Sequence, residues 1–402
     1  MRTLSATQAC EILGIQAATL YAYVSRGWIR SEEVKGSRQR RYRAEDIEQL
    51  RQKQLLRSHP ETLAGQSLDW GLPLLDSSVS DIYQGQLFYR GQTIEHLIEQ
   101  SIEELIALLW QKNNLNFQIP LPVSETPRLS QQSELGLYEQ LQLSILWAGF
   151  QDSGAFDLSP QGVLQSSLHI LNHFYAFVSG QADNTMGLLH RFYMAPAHLN
   201  LLRVLLIVCA DHELNNSTFT ARCVASSRAS PYACIHAALC SFEGLRHGGA
   251  SRHSEALLSL CQQSTSLKQA LRQWRQQGQS ISFLEHRLYP QGDPRWHILS
   301  QLFERDFAHE PIWITAQALL QELNQTAAPA QPNLDFALAI AAGILNSDAQ
   351  GAPSVRPAIV WFALGRIVGW LAHIQEQYTQ ELLIRPRSRQ IVAQFKQESR
   401  AE

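Results

Sequence analysis

Residues 358 to 374 read AIVWFALGRIVGWLAHI, a stretch apolar almost throughout that nevertheless carries Arg366 and His373. Such a run suits a helix buried on all sides in a large core. Arg366 and His373 are seven residues apart, so they share one helix face. A guanidinium in a core is costly unless an anion meets it. That anion is either a carboxylate of the protein or one of a ligand, and a planar guanidinium fork suits both. The charge also interrupts the run before about 18 apolar residues, so a core helix is expected and not a membrane span.

The rest of the chain supplies such a core. It has 402 residues, 45% hydrophobic and 17% charged, which points to two or three domains. The net charge of −3 argues against a polyanion binder over the whole surface. Ile94 to Trp110 holds a capping box, Ser101 to Glu104, with apolar residues at 102, 105, 106 and 109. Leu137 to Trp147, Val163 to Phe177 and Leu199 to Cys209 show similar helical spacing. Alternating strand patterns are rare, apart from a hairpin of Val79 to Tyr83 and Gln86 to Tyr89 around Gln84-Gly85. The fold class is therefore mainly α. Residues 113 to 132 and 325 to 333 read as loops. Six cysteines form no CxxC pattern; Cys209, Cys234 and Cys240 lie in apolar runs and are expected to be buried, reduced thiols of a cytoplasmic protein. The N-terminus lacks the apolar core of a signal peptide. The histidines show no HExxH pattern, and no metal site is expected.

Residues 1 to 57 differ in character. Ser5 to Gln8 is a capping box opening a short helix that Gly14 stops. Thr19 to Ser25 predicts a second helix, with Leu20 and Val24 inward and Tyr21, Tyr23 and Arg26 outward. Trp28 to Arg30, a turn around Lys35 to Ser37, and Arg38 to Arg43 predict a two-stranded wing; a third helix starts at Ala44. Arg38, Arg40, Arg41 and Arg43 lie within six residues with no acid among them. This pattern suits duplex DNA, a helix for the groove and cations for phosphate, so Thr19, Tyr21, Tyr23, Arg26 and the four arginines are candidate DNA contacts. The segment resembles the winged helix-turn-helix of MerR-type regulators and excisionases. Residues 58 to 66 read as a linker, and 67 to 402 as the second region.

Two further motifs carry chemistry. Asp211-His212-Glu213, then Asn215 to Thr218, follow an apolar helical stretch; so much polarity must meet a ligand or a dense hydrogen-bond network. Gly244-Leu-Arg-His247-Gly-Gly249 sets a histidine among glycines, which permit close backbone approach or positive φ. Asp335 lies between Pro332 and Phe336, where desolvation raises carboxylate basicity. A carboxylate of this kind can act as a general base near neutrality, and a neutral histidine can donate a hydrogen bond to an oxygen that gains charge.

Together with Glu285-His286-Arg287-Leu-Tyr289, Asp293-Pro-Arg295, Asn333 to Phe336, Gly365-Arg366 to His373 and Ile384-Arg385-Pro-Arg387, these motifs resemble the citrate synthase family over roughly residues 65 to 395. The resemblance implies a large and a small helical domain, the small one over about 248 to 345. It implies that Asp335 deprotonates acetyl-CoA, His247 stabilises the enol and His286 protonates oxaloacetate. His212, Arg295 and Arg366 would hold the oxaloacetate carboxylates. Arg385 would reach the neighbouring subunit's site in a homodimer. Acetyl-CoA would be a co-substrate, with no further cofactor. Glu285 replaces the family's usual glycine, Arg246 stands where Leu is common before the first histidine, and Pro290 where a CoA-phosphate cation is common; these put the CoA site in question. A metabolite-sensing regulator, a 2-methylcitrate synthase and a citryl-CoA lyase remain alternatives.

Overall fold

A computed structural model describes residues 3–33, 40–43, 46–47, 50, 75–118, 135–182, 187–284, 286–325, 331–348 and 355–386. The chain divides into two compact units, Met1–Asp76 and Ser77–Glu402.

In the first unit, β1 (Thr3–Leu4), α1 (Ala6–Leu13), α2 (Ala17–Ser25), β2 (Ser31–Glu33) and β3 (Arg40–Arg43) follow in order. The strands form an antiparallel sheet in the order β1-β3-β2. The Ser5 capping box forms in full, and Gly14 ends α1 at φ 63°. Leu4, Ala9, Leu13, Leu20, Ile29, Tyr42 and Ile47 make a small core. The wing departs from expectation in two ways. Its first strand begins only at Ser31, after Trp28 to Arg30, and β1 adds a third strand. Tyr23 is not simply outward: its ring lies 5.2 Å from that of Trp28 and packs against the core. Asp46, Ile47 and Leu50 are helical, as expected of a third helix; the turn at Lys35 to Ser37, and Arg38, lie outside the described residues.

The second unit opens with a three-stranded sheet, β4 (Ser80–Tyr83), β5 (Gln86–Tyr89) and β6 (Gln92–Thr93). Gln84 and Gly85 both take positive φ, the requirement of a type I′ hairpin turn. Helices follow: α3 (Ile94–Leu97), α4 (Ile102–Trp110), α5 (Leu137–Gln151), α6 (Pro160–Ser179), α7 (Pro196–Cys209), α8 (Asn216–Ser226), α9 (Pro231–Phe242), α10 (Ala250–Gln263), α11 (Leu267–Gln276), α12 (Pro294–Asp306), α13 (Pro311–Asn324), α14 (Leu334–Ser347) and α15 (Ala358–Thr379). Ser101 divides the predicted Ile94 to Trp110 helix, because its side chain caps α4 and accepts from the Glu104 N–H.

Helix α15 is the axis of the core. By length and composition it could cross a membrane, but 94% of that apolar window is buried inside the protein. Helix α7 packs on α12, α14 and α15. Two glycines permit the α7–α15 approach. A Cβ on Gly365 would meet Cys209 Cβ at 2.7 Å, and one on Gly369 would strike the Ala210 carbonyl and Asp211. The Gly369 N–H instead donates to the Ala210 carbonyl at 3.1 Å. The turn that follows α7 is thus pinned against the middle of α15, beside Arg366. Cys209 and Cys234 are buried as expected, but Cys240 is exposed: it lies on the outer side of α9, whose inner side carries Leu239 and Phe242.

Candidate active site

Most of the polar turn after α7 is consumed by the protein itself. Asp211 is fully buried; its carboxylate accepts from His373 Nε2 at 3.0 Å and from the Ser80 hydroxyl. Burial pushes this carboxyl up, but His373, Arg366 and Ser80 outweigh it and hold it below the ordinary value. Glu213 takes φ 50° and accepts from the Ile82 N–H at 2.8 Å. Asn215 caps α8, accepting from the Thr218 N–H at 3.2 Å, while its Nδ2 donates to the His212 carbonyl. The dense-network reading therefore holds for Asp211, Glu213 and Asn215, while His212 and Ser217 turn toward other candidate residues.

Three histidines from three segments meet there. His212 and His286 are stacked edge to face with centroids 5.3 Å apart. His212 Nε2 bonds to the Tyr289 hydroxyl at 2.9 Å. His286 Nδ1 accepts from the Leu288 N–H at 3.2 Å. His247 Nε2 lies 2.7 Å from the Ser217 hydroxyl, which also contacts Asn215 Oδ1 at 2.8 Å and accepts from Trp370 Nε1 at 3.0 Å. Burial depresses all three imidazoles. His212 lies well below its ordinary value, with Arg295 and His286 adding to the effect; His247 falls to about 3, with Arg366 contributing, and His286 to about 4, with Arg295 contributing. They are neutral at physiological pH and available as hydrogen-bond donors. Gly248 and Gly249 keep ordinary negative φ, so their role is close approach: a Cβ would strike the Phe242 ring at one and the Glu243 carbonyl at the other.

Asp335 stands in the first turn of α14, its N–H held by Asn333 Oδ1 at 2.9 Å. Burial raises its carboxyl to about 7, against the pull of Arg295 and Arg366. Among the described residues no hydrogen bond or ion pair engages that carboxylate. It is a carboxylate poised as a base near neutrality.

The two arginines differ. Arg295 is paired bidentately with Asp293, Nε at 2.9 Å and Nη2 at 2.7 Å, and lies over the Tyr289 ring. Asp293 also accepts from the Leu334 N–H at 3.1 Å, tying α12 to the start of α14. Arg366 is 1% exposed. Its Nε donates to the Cys209 carbonyl at 2.7 Å, and no described carboxylate forms an ion pair with it. The face-sharing His373 bonds directly to Asp211, whereas Arg366 feels Asp211 only at longer range, without a hydrogen bond or ion pair. Its charge depresses His212 and His247 and acts on Asp335, so it belongs to the same cluster.

The sequence profile for the C-terminal domain of citrate synthase matches residues 165–387, more than half of the chain. The chain belongs to the citrate synthase family. It is 28% identical to citrate synthase 2 of Bacillus subtilis over 353 residues, 79% of this chain and 93% of that one. It is 29% identical to 2-methylcitrate synthase of Shewanella oneidensis over 207 residues, 50% and 52% of the two chains. Citrate synthase from Thermotoga maritima superposes with TM-score 0.64 at 22% identity, covering 81% of this chain and 95% of that one. The Thermoplasma acidophilum enzyme, solved as a ternary complex with carboxymethyl coenzyme A and oxaloacetate, gives 0.66 at 20% identity, covering 80% and 94%.

In citrate synthase terms the structure brings His212, His247, His286, Asp335, Arg295 and Arg366 into one mutually interacting cluster. Arg385 is exposed beyond the end of α15 and does not join it. Arg246 and Pro290 are exposed; Glu285 and Arg387 lie outside the described residues. The sequence reading passed over Ser217, Tyr289 and Asp293 as site residues. Ser217 lay within the polar run singled out in the sequence, and Asp293 carried the signal of an acid before Pro at a helix start; Tyr289 carried none of its own. The described residues contain no cluster of three metal-ligating side chains. His169 and His173 do stand four apart on α6, but His173 Nε2 goes to Ser144 at 3.0 Å and His169 to Asp152 at 3.6 Å.

A helix-turn-helix profile matches residues 3–55. There Tyr21, Arg26, Arg40 and Arg41 are exposed, and Thr19 and Arg43 half-buried. Strand pairing alters the charge pattern: Glu32 stands opposite Arg41 and bonds to Arg43 at 3.3 Å. Arg30 is held by Asp46 at 2.7 Å. Among the described residues of this unit, Arg43 and Arg30 are thus compensated by acids.

Proposed function

We propose that the chain condenses acetyl-CoA with oxaloacetate to give citrate and CoA, acetyl-CoA serving as co-substrate without a further cofactor. The observation that carries this reading is Arg366, a buried guanidinium in no direct ion pair with a described carboxylate, set among neutral histidines and a near-neutral aspartate. A buried cation of this kind is stabilised when an anion binds. A small dicarboxylate supplies that anion, with Arg295 and His212 as further contacts. Asp335 removes a proton from the thioester methyl group. His247 donates to the enol oxygen; this needs a proton on Nδ1, which Ser217 permits by donating to Nε2 in place of Asn215. The enol carbon attacks the keto carbon, His286 transfers its proton to the new alkoxide, and water cleaves the citryl thioester.

Closure of residues 248 to 345 on the remainder would bring Asp335 to the methyl group once the dicarboxylate is held. A cytoplasmic homodimer would place Arg385 of the partner subunit at the same carboxylates. The 2-methylcitrate synthase relative supports propionyl-CoA as an alternative acyl donor. The helix-turn-helix match supports duplex DNA as a second partner.

The test is release of free CoA from acetyl-CoA by the full chain, expected only with oxaloacetate present. Asp335→Asn should lower kcat by about 10²–10⁴ with little change in oxaloacetate affinity. If the wild-type chain is inert with both acetyl-CoA and propionyl-CoA while oxaloacetate still raises its melting temperature, the domain is a metabolite sensor.

A further inference from the structure

Tyr289 is 2% exposed and touches three residues of the cluster at once. Its hydroxyl lies 2.9 Å from His212 Nε2, its ring 4.8 Å from that of His286, and its face 5.3 Å from the Arg295 guanidinium. A phenol has one hydrogen to donate. Among the described residues His212 Nε2 is the sole hydrogen-bond partner of this one. If the imidazole donated instead, the buried phenol hydrogen would have no acceptor, which costs more than the bond returns. His212 Nε2 therefore accepts, and the single ring proton of the neutral imidazole sits on Nδ1. That nitrogen makes no hydrogen bond to a described residue.

His286 has the opposite arrangement. Its Nδ1 accepts from the Leu288 backbone N–H, which places its proton on Nε2. Two imidazoles 5.3 Å apart are thus held as different tautomers, each by a partner from the segment 286 to 289. We propose that Tyr289 is a positioning residue that fixes His212 as the Nδ1–H tautomer, so that this nitrogen donates to the bound 2-oxo dicarboxylate beside Arg366. The choice of ligand rests on the proposed synthase reaction; the tautomer does not. With the other tautomer, Nδ1 would present a lone pair to a carboxylate and repel it.

The test is two-bond ¹H–¹⁵N correlation of the histidine rings in the full-length protein near pH 7.5, with His212 assigned by the signal lost in His212→Asn. The wild-type chain should show the Nδ1–H pattern for His212. Tyr289→Phe removes one oxygen and keeps the ring over Arg295. It should convert His212 to the Nε2–H form or a mixture, and raise KM for oxaloacetate by about 5–30-fold with kcat within about threefold. An Nε2–H pattern in the wild-type chain overturns the proposal, and so does a Tyr289→Phe spectrum identical to wild type. If no CoA is released by either chain, the spectra and the calorimetric affinity for oxaloacetate still decide the role of Tyr289, while the synthase assignment fails separately.

Discussion

Arg43 in the wing and Arg366 in α15 show two treatments of the same side chain. Arg43 is half-buried at a sheet surface and bonds to Glu32 across the strand pair. Arg366 is buried and meets a backbone carbonyl and the Phe362 ring; Asp211 acts on it at longer range, but no described carboxylate forms an ion pair with it. In water a guanidinium gains little from a partner and loses little without one. In a core the missing anion is a large omission, so the unpaired charge marks where a ligand is expected. A run of arginines in the sequence is thus a weaker sign of function than one arginine that the fold buries unpaired.

The sharpest way to break this contrast is Arg366→Met. If the charge is there for a dicarboxylate, oxaloacetate affinity should fall by about 10²-fold. The ligand-free protein should lose little stability, since an unpaired buried cation leaves with the side chain. Isothermal calorimetry and thermal melts check both; a large loss of ligand-free stability with affinity intact would make Arg366 purely structural.

Asp335 gives an effect of a few degrees. Its folded-state value of about 7 lies above the ordinary 3.8, so the folded protein binds this proton more tightly than the unfolded chain. The carboxylate therefore destabilises the fold progressively from about pH 4 to about pH 7, and fully above that. Asp335→Asn should melt a few degrees higher than wild type at pH 8 and at the same temperature below pH 4. Equal melting temperatures at pH 8 would mean that the carboxylate is not desolvated. Catalytic rate follows the folded-state value instead, rising up to about pH 7 as the base ionises and levelling off above it.

The smallest effect belongs to the wing. Arg40→Ala with Arg41→Ala should flatten the salt dependence of binding to a duplex, the slope falling by about 0.9 for each phosphate no longer neutralised. Glu32→Gln, which releases Arg43, should steepen it by less than about 1. An unchanged slope in both would remove the wing from any DNA interface.

Local chemistry was legible in the sequence. Ser5 and Ser101 announced their helix starts, Gln84-Gly85 its hairpin, and the apolar run around Arg366 its buried helix, because each depends on residues within one or two turns. The set of groups in the site was legible too, through ordered motifs. Which group meets which was not. Arg295 met a protein carboxylate two residues away while Arg366 met none, though both were read as carboxylate-binding. Cys240 took the exposed side of its helix despite apolar sequence neighbours, and Tyr23, read as outward, packed against the small core. The bond between His212 and Tyr289 joins residues 77 positions apart. Such partners are selected by how α7, α12, α14 and α15 pack, and by glycines that let two backbones touch. The sequence by itself determined the elements and the inventory of acids, bases and cations; only the tertiary structure decided which charge stayed unpaired, because pairing is a matter of distance and burial between segments remote along the chain.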